Sequence, residues 1–163
     1  MKHIFKLFIF TLLLASCSSD DGAITGGTAQ VNIINVLEGS AKQDIYFDDI
    51  KSPIIPLGYL ESTGYSALPA GNRKIEFKNM GTSLVSSSSS LNINANRYYT
   101  FFFTGGTQNT ALQVEDNRTP SALNNARVRF IHFSYANQNS SITIRNNNDV
   151  ALISNLGFKT ASN

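Results

Sequence analysis

The stretch AQVNIINVLEGSAKQDIYFDD, residues 29–49, decides the fold. Val31 and Ile33 alternate with Gln30 and Asn32, and Ile45 and Phe47 alternate with Asp44 and Tyr46. A period of two sends one set of side chains to a buried face and the other toward solvent, which is the pattern of half-buried β-strands. The rest of the chain continues in short segments of the same kind. YSAL is followed by a Pro-Gly turn in PAGN, and RKIEFKN puts Ile75 and Phe77 on one face. Residues 86–106 read as a strand pair around an Asn94–Asn96 turn, the second strand being YYTFFF, and TALQVED supplies one more strand. The run Ser86–Ser90 reads as a solvated loop. No window after the first seventeen residues carries a helical period.

The opening stretch recurs. ARVRFIHFSYANQNSSITIRNN begins at Ala126, so the offset from Ala29 is 97 residues. It pairs Val31 with Val128, Ile33 with Phe130, Ile45 with Ile142 and Phe47 with Ile144. After a two-residue insertion, IIPLGY at residues 54–59 corresponds to ISNLGF at residues 153–158. Such self-similarity marks a repeated unit. About 100 residues is the size of an immunoglobulin-like sandwich. The expected fold class is therefore all-β, an immunoglobulin-like antiparallel β-sandwich at residues 29–120, with the start of a second similar unit at 126–163. The second copy has no counterpart of the residues after Thr63. Half a sandwich would expose Phe130, Ile142, Ile144 and Phe158 and leave strand edges unpaired. The expectation is a fragment of a longer product of roughly 220–230 residues, the room a second sandwich requires. The alternative is that residues 126–148 add strands to the first sandwich.

The segments ARVRFIHFS (126–134), QDIYFDD (43–49), IPLGYLESTGY (55–65), LPAGNRKIEF (68–77) and NRYYTFFFTGG (96–106), with VEDNRTP (114–120) bridging into the next copy, resemble domain-of-unknown-function family 4397 (DUF4397). The resemblance runs from residue 29 to the end and departs at VLEGSAKQ and SYANQNSS, where the family usually has a Pro-containing loop. It implies a sandwich, often in tandem in bacterial secreted and surface proteins, and implies no activity or catalytic residue.

The N-terminus gives an address. MKHIFKLFIFTLLLASC has a basic start at Lys2 and Lys6 and an apolar core of roughly a dozen residues, shorter than the ~20 that a spanning helix needs. Residues 1–17 read as a signal peptide. Leu14-Ala15-Ser16-Cys17 resembles the bacterial lipobox, which implies a diacylglycerol on the Cys17 sulfur and cleavage that leaves Cys17 first. Each buried methylene contributes about 0.8 kcal/mol, so two chains anchor a protein stably. Ser18, Ser19, Asp20 and Asp21 follow, similar to the acidic export signal of Bacteroidota lipoproteins. That similarity implies an outer-membrane protein facing the cell exterior. Residues 18–28 are rich in Gly, Ser and Thr and read as a flexible tether of at most about 35–40 Å.

Composition closes off several function classes. The 163 residues carry a formal net charge of +2 and no arginine-rich stripe, which argues against nucleic acid. Cys17 is the only cysteine, so no internal disulfide forms. His132 is the one histidine after the signal peptide and corresponds to Asn35, which suits a strand-end polar residue tying down a loop. A metal site or a nucleophilic triad would need partners that the sequence lacks. Asp44, Asp48 and Asp49, near Glu38, lack the spacing of a calcium loop, and Asp48 and Asp49 suit a hairpin turn. No catalytic residue, metal ligand or cofactor is expected, and the protein is not read as an enzyme. In YYTFFF, Tyr99, Phe101 and Phe103 should face a core. Tyr46, Tyr59, Tyr65 and Tyr135 are the candidate ligand contacts. The resulting expectation is a lipid-anchored, surface-exposed, non-catalytic binding, adhesion or structural module with a protein or glycan partner. The alternative is an accessory carbohydrate-binding lipoprotein of a glycan-uptake system, and a hydrolase ranks last.

Overall fold

The structure is a computed structural model that describes residues 26–105 and 111–162. Its strands are β1 Thr28–Asn35, β2 Gln43–Phe47, β3 Ile50–Lys51, β4 Ser66–Pro69, β5 Gly71–Asn79, β6 Val85–Ile93, β7 Tyr98–Phe103, β8 Leu112–Glu115, β9 Ile142–Arg145 and β10 Ala151–Leu156. Two four-stranded sheets, ordered β4-β1-β7-β8 and β3-β2-β5-β6, pack face to face as a sandwich. The expected all-β class holds. One pairing departs from the antiparallel expectation: β1 runs parallel to β7, from Gln30 opposite Tyr98 to Asn35 opposite Phe103.

The alternation does what the sequence asks. Val31, Ile33, Ile45, Ile75, Phe77, Leu91, Ile93, Tyr99, Phe101 and Phe103 form the core between the sheets. Phe77 and Phe103 meet across it with ring centroids 4.7 Å apart. Each such side chain contributes about 1.5–3 kcal/mol when fully buried. Gly105 follows β7 with φ +70°, and a Cβ there would lie 2.5 Å from Leu37 Cδ2. The left-handed backbone there is strained for any other residue, and a side chain would also push Leu37 aside.

Two expectations are corrected. The serine run is not a loop but the middle of β6, with Ser87 opposite Phe77 and Ser89 opposite Ile75. Both serines are buried. Strand β5 supplies the backbone partners along the serines, and Leu91 and Ile93 at the end of β6 supply its apolar burial. The turn at Asn94–Asn96 does not join a hydrogen-bonded pair: β6 and β7 belong to different sheets. It carries the chain across the sandwich, with Asn96 at φ 60° and its N–H donated to the Thr28 carbonyl at 2.8 Å. Thr28 thus belongs to β1 and not to the tether.

The segment after β8 touches the outer face of the first sheet at several points. Phe133 packs on Phe102 at 5.1 Å, and the Tyr135 hydroxyl donates to the Thr104 carbonyl. Strands β9 and β10 pair only with each other among the described strands, so they do not extend the first sandwich. Phe130, Ile142, Ile144 and Phe158 are half-buried.

The corner around Asn35 has a counterpart around His132. Asn35 N–H donates to the Glu61 carbonyl and its carbonyl accepts from Leu60 N–H; His132 does the same with Thr160 and Lys159. Thr63 N–H donates to the Ile33 carbonyl and Ser162 N–H to the Phe130 carbonyl. The hydroxyls of Thr63 and Ser162 accept from the N–H groups of Ile33 and Phe130, both at 3.0 Å. Leu60 and Lys159 share a left-handed φ, 60° and 56°.

Candidate functional site: an arginine and tyrosine cleft

The residues 17–21 that carry the lipobox and export expectations, Cys17, Ser18, Ser19, Asp20 and Asp21, lie outside the described residues. The four candidate tyrosines are on separate elements. Tyr46 lies on the outer face of the second sheet under Lys78 Nζ, 4.0 Å from its ring centroid. Tyr59 is exposed in the loop after Gly58. Tyr135 is half-buried against Phe158 at 5.0 Å, and its hydroxyl is bound to Thr104, so its role is packing. Tyr65, just before β4, lines a cleft.

That cleft is built from β7 outward. Because Tyr99, Phe101 and Phe103 face the core, Tyr98 and Thr100 face the opposite side, where the segment after β8 crosses them. Asp116 N–H donates to the Tyr98 carbonyl at 2.7 Å, which sets the carboxylate over the sheet. Asp116 Oδ2 accepts from Thr100 Oγ1 at 2.6 Å and from Tyr65 Oη at 2.9 Å, and Oδ1 accepts from Arg129 at 3.0 Å. The other Arg129 nitrogen donates to the Glu115 carbonyl at 3.0 Å. Burial, the main cause, pushes the Tyr65 phenol above its ordinary value, which keeps it a neutral donor to Asp116.

Tyr65 and Tyr98 meet edge to face at 5.4 Å. The Arg118 guanidinium lies over both rings, its Cζ 5.5 Å from the Tyr65 centroid and 5.3 Å from that of Tyr98. A guanidinium held by ring faces is oriented while its N–H fork remains available. Arg127 donates to the Thr119 carbonyl at 3.3 Å. A cleft of about 580 Å³ opens among Tyr65, Asp116, Asn117, Arg118, Arg127 and Arg129, and a second of about 410 Å³ adjoins it across Asp116–Arg118. Of this set the sequence analysis singled out only Tyr65. Arg118, Arg127 and Arg129 fall within twelve residues of an otherwise arginine-poor chain, a density that could have drawn attention to the segment.

The other polar candidates have structural partners. Asp48 and Asp49 form the β2–β3 turn, with φ of 48° and 68°. Asp48 binds Arg73 at 2.8 Å and Asp49 binds Lys74 at 2.8 Å. Asp44 is buried and binds Lys51 at 2.8 Å. The Lys51 hydrogen bond is the main reason its carboxyl lies below the usual carboxylate range, against the opposing effect of burial. These acids are bound to three different cations, and among the described residues no group of three or more His, Cys, Asp or Glu side chains could hold a metal ion. His132 is buried, with Nδ1 accepting from Ser134 N–H at 3.2 Å and Nε2 3.3 Å from the carbonyls of Asn137 and Ser140. Asn35 holds its own loop in the same way, accepting from Leu37 N–H at 3.0 Å and donating to Ser40 Oγ at 2.9 Å.

Comparison with known proteins gives one family. Residues 29–143 match the family described as Domain of unknown function (DUF4397). No curated protein matches the chain.

Proposed function

The chain belongs to the DUF4397 family, and from that premise we propose that it is a lipid-anchored cell-envelope protein whose sandwich acts as a non-catalytic binding, adhesion or structural module. The observation that carries the reading is the sequence LLLASCSSDD: an apolar run too short to span a membrane, small residues, Cys17, then two acids. The thiol takes the lipid, the acids direct the protein to the outer face of the outer membrane, and the residues between Cys17 and β1 tether the folded part. The finer reading of residues 126–163 as the start of a second unit is supported by the matched hydrogen bonds around Asn35 and His132.

Expression of the full chain in a bacterial host with an alkyne fatty acid tests the anchor. The parent should become labelled and Cys17→Ser should not. A mature terminus other than Cys17 by mass spectrometry, or a labelled Cys17→Ser protein, would overturn it. Protease digestion of intact cells tests the orientation, with loss of the folded part expected.

The second reading, a carbohydrate-binding lipoprotein, is favoured by the cleft in which Tyr65 and Tyr98 lie beside arginines and Asn117. Aromatic rings with a few convergent polar groups are the usual furniture of small-molecule sites.

A further inference from the structure

We propose that the cleft between Tyr65 and Arg127 binds the carboxylate or sulfate group of an acidic sugar, with Arg118 as its principal anion contact. The inference deepens the carbohydrate-binding reading and rests on it, while lipid anchoring at Cys17 is independent of it.

Charge accounting within the cleft supplies the first argument. Three guanidinium groups, those of Arg118, Arg127 and Arg129, face one carboxylate, that of Asp116. The carboxylate is satisfied by Tyr65, Thr100 and Arg129. It thus neutralises Arg129 alone. Among the described residues neither Arg118 nor Arg127 has an acid within salt-bridge distance; their partners are the rings of Tyr65 and Tyr98 and the Thr119 carbonyl. Two unneutralised cations beside one cleft favour an anion.

Geometry supplies the second. The Arg118 guanidinium carbon lies 5.5 and 5.3 Å from the Tyr65 and Tyr98 ring centroids, and with those rings as its partners its N–H groups are left for a ligand. A planar fork of that kind matches the two oxygens of a carboxylate or sulfate. The ordering cost of the long side chain is already met by the stacking, which favours affinity.

The third concerns what carries the anion. The cleft volume of about 580 Å³ falls in the range of roughly 300–1,000 Å³ typical of small-molecule sites. Tyr65 is 39% exposed beside it and brings aromatic surface to the lining. Asn117 adds amide donors and acceptors for hydroxyl groups. Sugar rings present both an apolar face and a fringe of hydroxyls, which suit the Tyr65 ring and the Asn117 amide of this lining.

Calorimetry on the purified full chain in mild detergent tests the proposal, with four probes: oligogalacturonate, a sulfated oligosaccharide, a neutral oligosaccharide of equal length, and polyglutamate. At least one acidic oligosaccharide should bind ten-fold or more tightly than the neutral one and than polyglutamate. The first two probes separate carboxylate from sulfate. Arg118→Ala should weaken that binding at least ten-fold, and Arg118→Lys should restore little of it, since lysine offers no planar fork. Arg127→Ala serves if Arg118→Ala fails to fold. Arg145→Ala, which removes the partner of Asp149 in the β9–β10 hairpin, should leave binding unchanged. Equal binding of acidic and neutral sugars, no binding of either acidic sugar, polyglutamate binding as tight as theirs, or indifference to both arginine substitutions would overturn it. Neutral-sugar binding alone would leave the carbohydrate reading standing and remove only the anion.

Discussion

Asn35 and His132 sit at equivalent corners of the chain with the same backbone partners, yet their surroundings differ. Asn35 closes the end of β1, whose Val31 and Ile33 are buried in the core between two four-stranded sheets. His132 closes a segment with a single bridge, Ile131 to Ala161, beside a two-stranded hairpin. A corner motif is local: a few hydrogen bonds and one left-handed residue suffice to form it. A core is collective, because apolar burial grows with the number of strands that enclose it. The two regions share the first property and not the second, and the following experiments probe that division.

The largest effect should come from the core. Phe101→Ala is expected to lower unfolding free energy by about 3–5 kcal/mol, since Phe101 has no exposure and its removal leaves a cavity. Ile144→Ala, half-buried in β9, should cost about 1–2 kcal/mol. Urea denaturation of both variants measures the gap, and equal losses would mean that the hairpin is as firmly enclosed as the sandwich. Hydrogen exchange should show the same order, with β1 and β7 amides protected well beyond those of β9 and β10.

The corners come next. Asn35→Ala strands the half-buried N–H of Leu37 and leaves the Leu57 carbonyl with Gln43 N–H alone, and should cost about 1–3 kcal/mol. His132→Ala should cost about 1–3 kcal/mol, whereas His132→Asn should recover part of that loss, because asparagine performs the same task at residue 35. If His132→Asn is as damaging as His132→Ala, the ring contact with Phe158 at 5.7 Å matters more than the hydrogen bonds.

Tyr65→Phe removes one donor from Asp116 and should cost about 0.5–1.5 kcal/mol without changing the fold, measured by thermal melting. The acid response of the first sandwich is the most delicate test. Asp44 and Glu76 both have carboxyl groups held below the ordinary range, chiefly by hydrogen bonds from Lys51 and Lys74 respectively. Their contribution is complete above the unfolded carboxylate range of about pH 4 and is lost as pH falls through the lower folded values. Asp44→Asn should flatten the fall in stability below about pH 4, as followed by acid titration of the circular dichroism signal. An unchanged slope would assign acid sensitivity to other carboxylates.

Much of this architecture was legible beforehand. Alternation alone placed Ile75 with Phe77 and Tyr99 with Phe101 and Phe103 in one core, because a strand's side-chain period is fixed by backbone geometry. The Asp48–Asp49 turn followed from the tolerance of aspartate for left-handed backbone. The 97-residue offset pairs Asn35 with His132, and these two residues make matching backbone hydrogen bonds. The serine run gives no strand signal of its own, because its strand is set by pairing with β5 and by Leu91 and Ile93 beyond the serines. The crossing at Asn94–Asn96 was misread because a turn signal does not say which partner each flanking strand will choose.

Apart from Tyr65 and the local density of arginines, the cleft is set by the tertiary structure. Tyr65, Tyr98, Arg118 and Arg127 are spread over more than sixty residues, and nothing in their local sequence links them. They converge because β7 buries one face and offers the other, and because Asp116 fastens the following segment across it. Short-range periodicity is written into each strand separately. Juxtaposition of distant side chains is set only when the sheets pack and the connecting segment finds its place on them.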